Sequence, residues 1–261
     1  MTAPNPTPAL YLIPVGLSDA PAANVVPPLN IEIMRGLRHF VVENVRTARR
    51  WLRRCDPSFS FEGVEFQELN TRTPASEVGR MLQPLRDGHS LGVMSEAGCP
   101  AVADPGADIV AAAQREGFRV VPLVGPSSIL MGLMGSGFNG QSFCFHGYLP
   151  IDEGERRHAL QRLERESERE NRTQIFIETP YRNNRFLAMM VETLQPDTLV
   201  CVASLVTDPE AESILTLPAS EWRSREYDYN KKPAIFLVYR RAARRGDRLV
   251  YSTKEKGRGR R

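Results

Sequence analysis

The chain has 261 residues, 41% of them hydrophobic and 25% charged. That is enough apolar material for a core of one large or two medium domains, and it excludes a fibrous or wholly disordered chain. The net charge of +3 is uneven, because residues 240–261 hold ten Lys/Arg against two Asp/Glu. The body is therefore mildly acidic, and the basic character belongs to the tail. Residues 242–261 read as a basic, disordered tail that either touches RNA phosphates or only keeps the chain soluble.

Residues 1–9 read as a flexible arm, with no charged segment and no apolar segment of a secretion signal. Leu10–Pro14 predicts a buried strand ending in a Pro/Gly turn. Asn30 is placed to cap a short helix bearing Ile31, Met34 and Leu37. Phe40–Val42 is the next strand, followed by a helix through Thr47–Leu52, and Val64–Phe66 is a weaker strand. Thr73 and Pro74 open a helix whose apolar positions, Val78, Met81, Leu82 and Leu85, keep a 3.6-residue period. Ser90–Met94, a helix over 106–116 and the strand Arg119–Val124 complete the alternation. It predicts βαβ units in a parallel sheet, with ligands at the carboxyl ends of its strands.

The stretch Val120–Ile151 contains no Asp, Glu, Lys or Arg. Its glycines and prolines leave no unbroken apolar run of about 20 residues, which argues against a membrane span. It is expected to be buried near a domain junction or a cofactor. Beyond it, Ser142–His146, Thr173–Glu178, Thr198–Ala203, Ser213–Leu217 and Ala234–Tyr239 read as strands, and Gly154–Asn171 and Asn183–Leu194 as helices. Little helix separates the last two strands, which predicts a mixed sheet. The expected layout is an N-terminal α/β domain over 10–125 and a C-terminal mixed α/β domain over 126–241.

Four loops carry chemistry. Met94–Gly106 packs small and turn-forming residues between a strand and a helix, so a ligand can approach the backbone closely. Glu96 leads that loop, and Asp104 and Pro105 sit where the helix begins. Pro122–Ser128 is a second loop of the same kind; its hydroxyls suit polar ligand atoms or plain helix capping. In Val42–Arg46, Glu43 can take a proton from a substrate hydroxyl and Arg46 can hold a phosphate, unless the two form a surface ion pair. Glu178–Arg182 ends a strand with a turn, an aromatic and an arginine, suited to a lid or an adenine-edge loop that includes Thr179. The four cysteines lie 44, 45 and 57 residues apart. That spacing gives no metal site, and with the absence of a signal segment it suggests a reducing cytoplasm. His146 reads as a packed strand-end residue. The GxGxxG, Walker A and GxSxG patterns are absent.

Taken in order, these segments resemble the tetrapyrrole methylase superfamily, and within it the branch of the 16S rRNA ribose 2′-O-methyltransferase. A TPIGNL-like turn is present as Ile13–Ser18, AEDTR as Val42–Arg46 and SDAGTPxISDPG as Ser95–Gly106. PLPGPSA is present as Pro122–Ser128, F-x-GFLP as Phe145–Pro150 and ESPHR as Glu178–Arg182. The resemblance spans about residues 10–240. It implies a two-domain α/β fold in a homodimer, with S-adenosylmethionine (SAM) held between the domains and S-adenosylhomocysteine as product. Pro14, Glu96, Gly98, Cys99, Ser127 and Ser128 would line the cofactor site, and Ala203, Pro233 and Ala234 would close its adenine side. The implied activity is methylation of RNA in the small ribosomal subunit; a small molecule such as a tetrapyrrole, or SAM binding without catalysis, are the alternatives. The chain departs from the pattern at Asn44 and Glu96, both Asp in the family, and at Ser204 and Leu205, where the family's VARELTK element has Arg-Glu. These changes bear on substrate recognition.

Overall fold

The computed structural model describes residues 8–241. The basic tail over 242–261 and residues 1–7 of the N-terminal arm lie outside the described residues, and Ala9 already belongs to the first strand.

The first sheet is parallel throughout, with strand order β3-β2-β4-β1-β5. In chain order its elements are β1 (Ala9–Leu12), α1 (Pro28–Gly36), β2 (His39–Val42), α2 (Val45–Cys55), β3 (Glu65–Glu68), α3 (Ala75–Val78), α4 (Gln83–Arg86), β4 (Leu91–Met94), α5 (Gly106–Arg115) and β5 (Arg119–Pro122). Both faces are covered, which suits the near-continuous apolar character of its central strands. Leu10, Val41, Leu91 and Val93 face α3–α5 through Leu82, Leu85, Ile109 and Ala113. Ile13, Phe40, Val42 and Met94 face α1 and α2 through Met34, Trp51 and Leu52.

Two helical expectations are corrected. Asn30 lies inside α1 rather than capping it: its side-chain amide donates to the Val124 carbonyl, and Pro27 holds the cap position. The helix expected after Pro74 breaks into α3, a 3-10 turn over Gly79–Leu82 and α4. Gly79 has little helix preference and Pro84 lacks the donor needed to continue a longer helix. Val78, Met81, Leu82 and Leu85 are nevertheless all buried, because the core needs the stripe whatever the local winding.

The second sheet is mixed, in the order β6-β7-β10-β8-β9. Its strands are β6 (Phe143–Tyr148), β7 (Thr173–Ile177), β8 (Leu199–Ser204), β9 (Ser213–Pro218) and β10 (Ala234–Tyr239). β6 pairs parallel with β7, and the other pairings are antiparallel. Alternation sorts the strand residues onto two faces. Phe236 and Val238 join Val200 and Val202 against α7 (Glu153–Glu170), α8 (Asn183–Thr193) and Trp222 of α9 (Ala219–Ser224). Ile235, Leu237, Cys201 and Ala203 face the other way, towards α6 (Ser128–Ser136) and Leu17 of the first β-α loop.

Helix α6 corrects the expectation for the charge-free stretch. Its glycines are contact positions: a Cβ at Gly132 would meet Ile235, Ala203 and Leu237 at 3.3–3.5 Å, and one at Gly135 would meet Ile214 at 2.6 Å. The helix can lie close on the sheet only because those side chains are missing. Burial is also one-sided. Leu133 is buried, whereas Val124, Leu130, Met134 and Ile151 are exposed.

A candidate ligand cleft at the strand ends

Neighbouring strands β1 and β4 send the chain to opposite faces of the first sheet. The segment after β1 returns through α1 on the Met34 side, and the segment after β4 returns through α5 on the Ile109 side. Such a switch point opens a crevice at the carboxyl ends of the strands. The two loops are tied across it: Val15 N donates to the Gly98 carbonyl at 2.9 Å, and Gly98 N returns the bond to Val15 at 2.9 Å. Gly98 holds this pairing at φ 72°, where a side chain would be strained. Ala101 and Ala103, at φ 66° and 62°, share that left-handed conformation. Their strain is held by Asp104, whose carboxylate accepts from Ala101 N at 3.0 Å and from Gly106 N.

The third loop locks on from the β5 side. The Cys99 thiol donates to the Pro126 carbonyl at 3.4 Å, and Gly125 lies against the Pro14 ring. Pro14 is itself fixed, because its carbonyl accepts from the Trp51 indole at 3.1 Å.

A cavity of about 310 Å³ lies at this junction, the lower end of the size range of small-molecule sites. Glu43 lines it from the loop after β2, Glu96, Gly98, Cys99 and Asp104 from the loop after β4, and Ser127 and Ser128 from the loop after β5 and the start of α6. Leu17, Ile129, Phe145, Tyr148, Ile177 and Ile235 supply an apolar wall, the last four from the second sheet. The Glu43 carboxylate accepts from Glu96 N at 2.7 Å. Burial pushes the Glu43 pKa above its ordinary value; the nearby Asp104 and Glu96 add to the rise, and the hydrogen bond from Glu96 N opposes it. Burial likewise raises the Asp104 carboxyl and the Cys99 thiol. Three acids on one wall and aliphatic and aromatic groups on the other suit a ligand with a cationic centre and a flat apolar part.

The remaining sequence candidates stand elsewhere. Arg46 is exposed on the first turn of α2, outside the cavity lining. Asn44 caps that helix, its side chain accepting from Arg46 N at 2.9 Å and Thr47 N at 3.2 Å, so the family's Asp is replaced by an equally good cap. The Thr47 hydroxyl reaches the Glu96 carboxylate. Ser127 lines the cavity while its hydroxyl accepts from Leu130 N at 3.5 Å, so it also serves as the cap of α6. Thr179 is turned to Arg182, whose Nε donates to its hydroxyl at 3.0 Å. Arg182 and Arg156 both pair with buried Glu178, at 2.8 and 3.5 Å. Ala203 is buried beside Ile235 in the sheet. The Pro233 carbonyl accepts from Leu205 N at 3.0 Å and the Ser204 hydroxyl at 3.3 Å, so Pro233 holds the corner where the family has Arg-Glu. Asp104 reads from sequence only as a residue at the start of a helix, and Phe145, Tyr148, Ile177 and Ile235 are not singled out as site residues there. Phe145 and Tyr148 lie within the Phe145–Pro150 motif, which is the available signal.

No family model matches the chain. Among curated proteins it is similar to ribosomal RNA small subunit methyltransferase I of Vibrio cholerae, 28% identical over 241 residues, covering 91% of this chain and 79% of the relative. The proteins of the same name from Mesorhizobium japonicum and Pseudomonas aeruginosa are 34% and 30% identical, covering 72% and 66% of this chain. In these two the chain spans 60% and 64% of the relative's length. Among solved structures, the methyltransferase CobJ superposes with TM-score 0.59 at 19% identity, covering 89% of this chain and 94% of that one. The cobalt precorrin-4 methyltransferase of cobalamin biosynthesis gives 0.53 at 18% identity, covering 88% and 94%. In sequence the chain is thus similar to ribosomal RNA small subunit methyltransferases, and its fold is like that of the two solved methyltransferases. Its similarity to the rRNA enzymes runs through most of its length. Among the described residues, no group of three or more His, Cys, Asp or Glu could hold a metal, and no helix is long and apolar enough to cross a membrane.

Proposed function

We propose that this chain is a SAM-dependent methyltransferase whose acceptor is RNA, a ribose 2′-hydroxyl of the small-subunit rRNA or a related site. The observation that carries the reading is the cleft itself: three carboxylates, Glu43, Glu96 and Asp104, meet an apolar wall in one cavity at the strand ends. The acidic side complements a sulfonium and an ammonium group, and Leu17, Ile177 and Ile235 give an adenine ring an apolar surface. The small-residue loops around Gly98, Cys99, Ser127 and Ser128 would hold the remaining polar atoms. Pro14, Ala203, Pro233 and Ala234 would act from behind, by fixing the loops and the strand that form the walls, and Thr179 through Arg182.

When bound, SAM supplies an electrophilic methyl group, and the protein's work is alignment, exclusion of water and removal of one proton. Glu43, raised in pKa and inside the cavity, would accept the hydroxyl proton as the new bond forms. Arg46 would hold a phosphate of the acceptor at the rim. Residues 10–125 and 126–241 are read as the two domains and the cytoplasm as the site of action. Exposed Leu130 and Met134, one turn apart on α6, support a homodimer.

The test is incubation of purified protein with methyl-labelled SAM and cell extract, separated into RNA, protein and small-molecule fractions. Label is expected in small-subunit rRNA, and Arg46→Ala should lower that transfer without weakening SAM binding. Label confined to small molecules would replace the acceptor with a tetrapyrrole-like compound. SAM binding with no transfer to any fraction would remove the catalytic reading.

A further inference from the structure

An open groove of about 720 Å³ runs alongside the cleft, between the end of β6 and helix α7. His146 and Tyr148 border it from the strand, and Glu155, His158, Arg162 and Arg165 from the helix. His158, Arg162 and Arg165 follow one another at helical steps of four and three, so they form one stripe whose positive charge comes from the two arginines, and all three are exposed. Arg162 makes only a loose 3.7 Å contact with Glu166. Tyr148 lines both this groove and the cleft and is 60% exposed. It is aimed there by a β-bulge in which Gly147 takes φ 63°. The groove and the cavity thus share one aromatic wall.

A second arginine-rich groove lies between Arg156, Arg157, Arg182 and Arg185, but it is neutralised internally. Glu178 takes Arg156 and Arg182, Glu153 takes Arg157 and Arg185, and Glu192 also takes Arg157. The β6–α7 groove has one acid in its lining, Glu155, against the two arginines Arg162 and Arg165. Phosphates along a strand, with a base to stack on the tyrosine, are the chemistry it matches.

We propose that this groove carries a single-stranded segment of the RNA substrate, with a base on Tyr148 and backbone phosphates on Arg162 and Arg165. The adjoining nucleotide then enters the cavity beside Glu43. This rests on the reading of RNA as the acceptor. In outline, the basic stripe grips the strand and the tyrosine turns it into the cleft.

The test uses full-length protein and a small-subunit rRNA transcript, with binding measured over a range of salt concentrations. Each phosphate contact to single-stranded nucleic acid contributes about 0.7 to the slope of log affinity against log salt. The double variant Arg162→Gln/Arg165→Gln should flatten that slope by about 1.4 while its SAM affinity stays as in the wild type. Arg157→Gln/Arg185→Gln, an equal charge change in the other groove, should leave the slope alone. Tyr148→Ala should weaken RNA binding by about 5- to 150-fold without changing the slope, as expected for one lost stacked base. An unchanged slope in the double variant, with wild-type protein that does bind RNA, would overturn the groove. Wild-type protein that binds no RNA would instead remove the RNA reading, and the groove with it.

Discussion

Glu43→Gln is expected to slow methyl transfer by a hundredfold or more in kcat, the range of a lost general base. The substitution is nearly isosteric, and the amide oxygen can still accept the 2.7 Å bond from Glu96 N, so the loop should keep its shape, and SAM should still bind on the remaining acids, Glu96 and Asp104. The pH dependence separates this role from a structural one. In the wild type the rate should climb as Glu43 loses its proton, above the ordinary glutamate range because burial holds the pKa up. In the variant that limb should vanish. Stability runs the opposite way. A carboxyl with a raised folded pKa keeps a proton that the unfolded chain has released. Stability is therefore lost as pH rises from about 4 through the folded value. Glu43→Gln should lessen that decline; Asp104, raised for the same reason, keeps part of it. Melting temperatures across pH 4–8 and single-turnover rates over the same range are the measurements. A variant with wild-type kcat would refute the role assigned to Glu43.

Gly125→Ala is expected to weaken SAM binding at least tenfold and to lower stability by about 1–3 kcal/mol, the usual cost of overpacking a closed contact. A Cβ on Gly125 would lie 2.2 Å from Cβ and 2.5 Å from Cγ of Pro14. The proline ring cannot swing aside as a flexible side chain would. Its carbonyl is held by Trp51, and the next residue, Val15, is paired to Gly98. The strain must therefore push the third loop away from the first two, widening the cavity they close. Gly36→Ala, where nothing lies within 4 Å of the new methyl group, is the comparison and should leave SAM affinity unchanged. Titration of SAM with each variant, together with thermal melts, checks both parts. Equal affinity in Gly125→Ala and the wild type would show that contact of the loops does not shape the site.

The strands were legible because buried strands are written as short apolar runs, and the loops because small residues between a strand and a helix have few other uses. Helix α6 was not, since Gly132 and Gly135 look like interruptions until the sheet beneath them is seen. The break at Gly79–Leu82 was hidden for the converse reason: a buried stripe keeps its period even when the helix does not. Within the cleft, Glu43, Glu96 and the Gly98–Cys99 turn could be picked out as polar or small residues after strands. Ile177 and Ile235 could not, because an apolar strand residue facing a cavity reads the same as one facing the core. Arg46 and Thr179 were chosen by motif position. Motif position does not report direction, and the two side chains point to the surface and to Arg182.

Amide hydrogen exchange with and without saturating SAM tests most directly that the cavity among the loops after β1, β4 and β5 holds SAM. Slowed exchange is expected at residues 14–18, 95–104 and 125–130, with little change in α8 and α9 on the far side of the second sheet. Unchanged exchange in those three loops while SAM is demonstrably bound would contradict it.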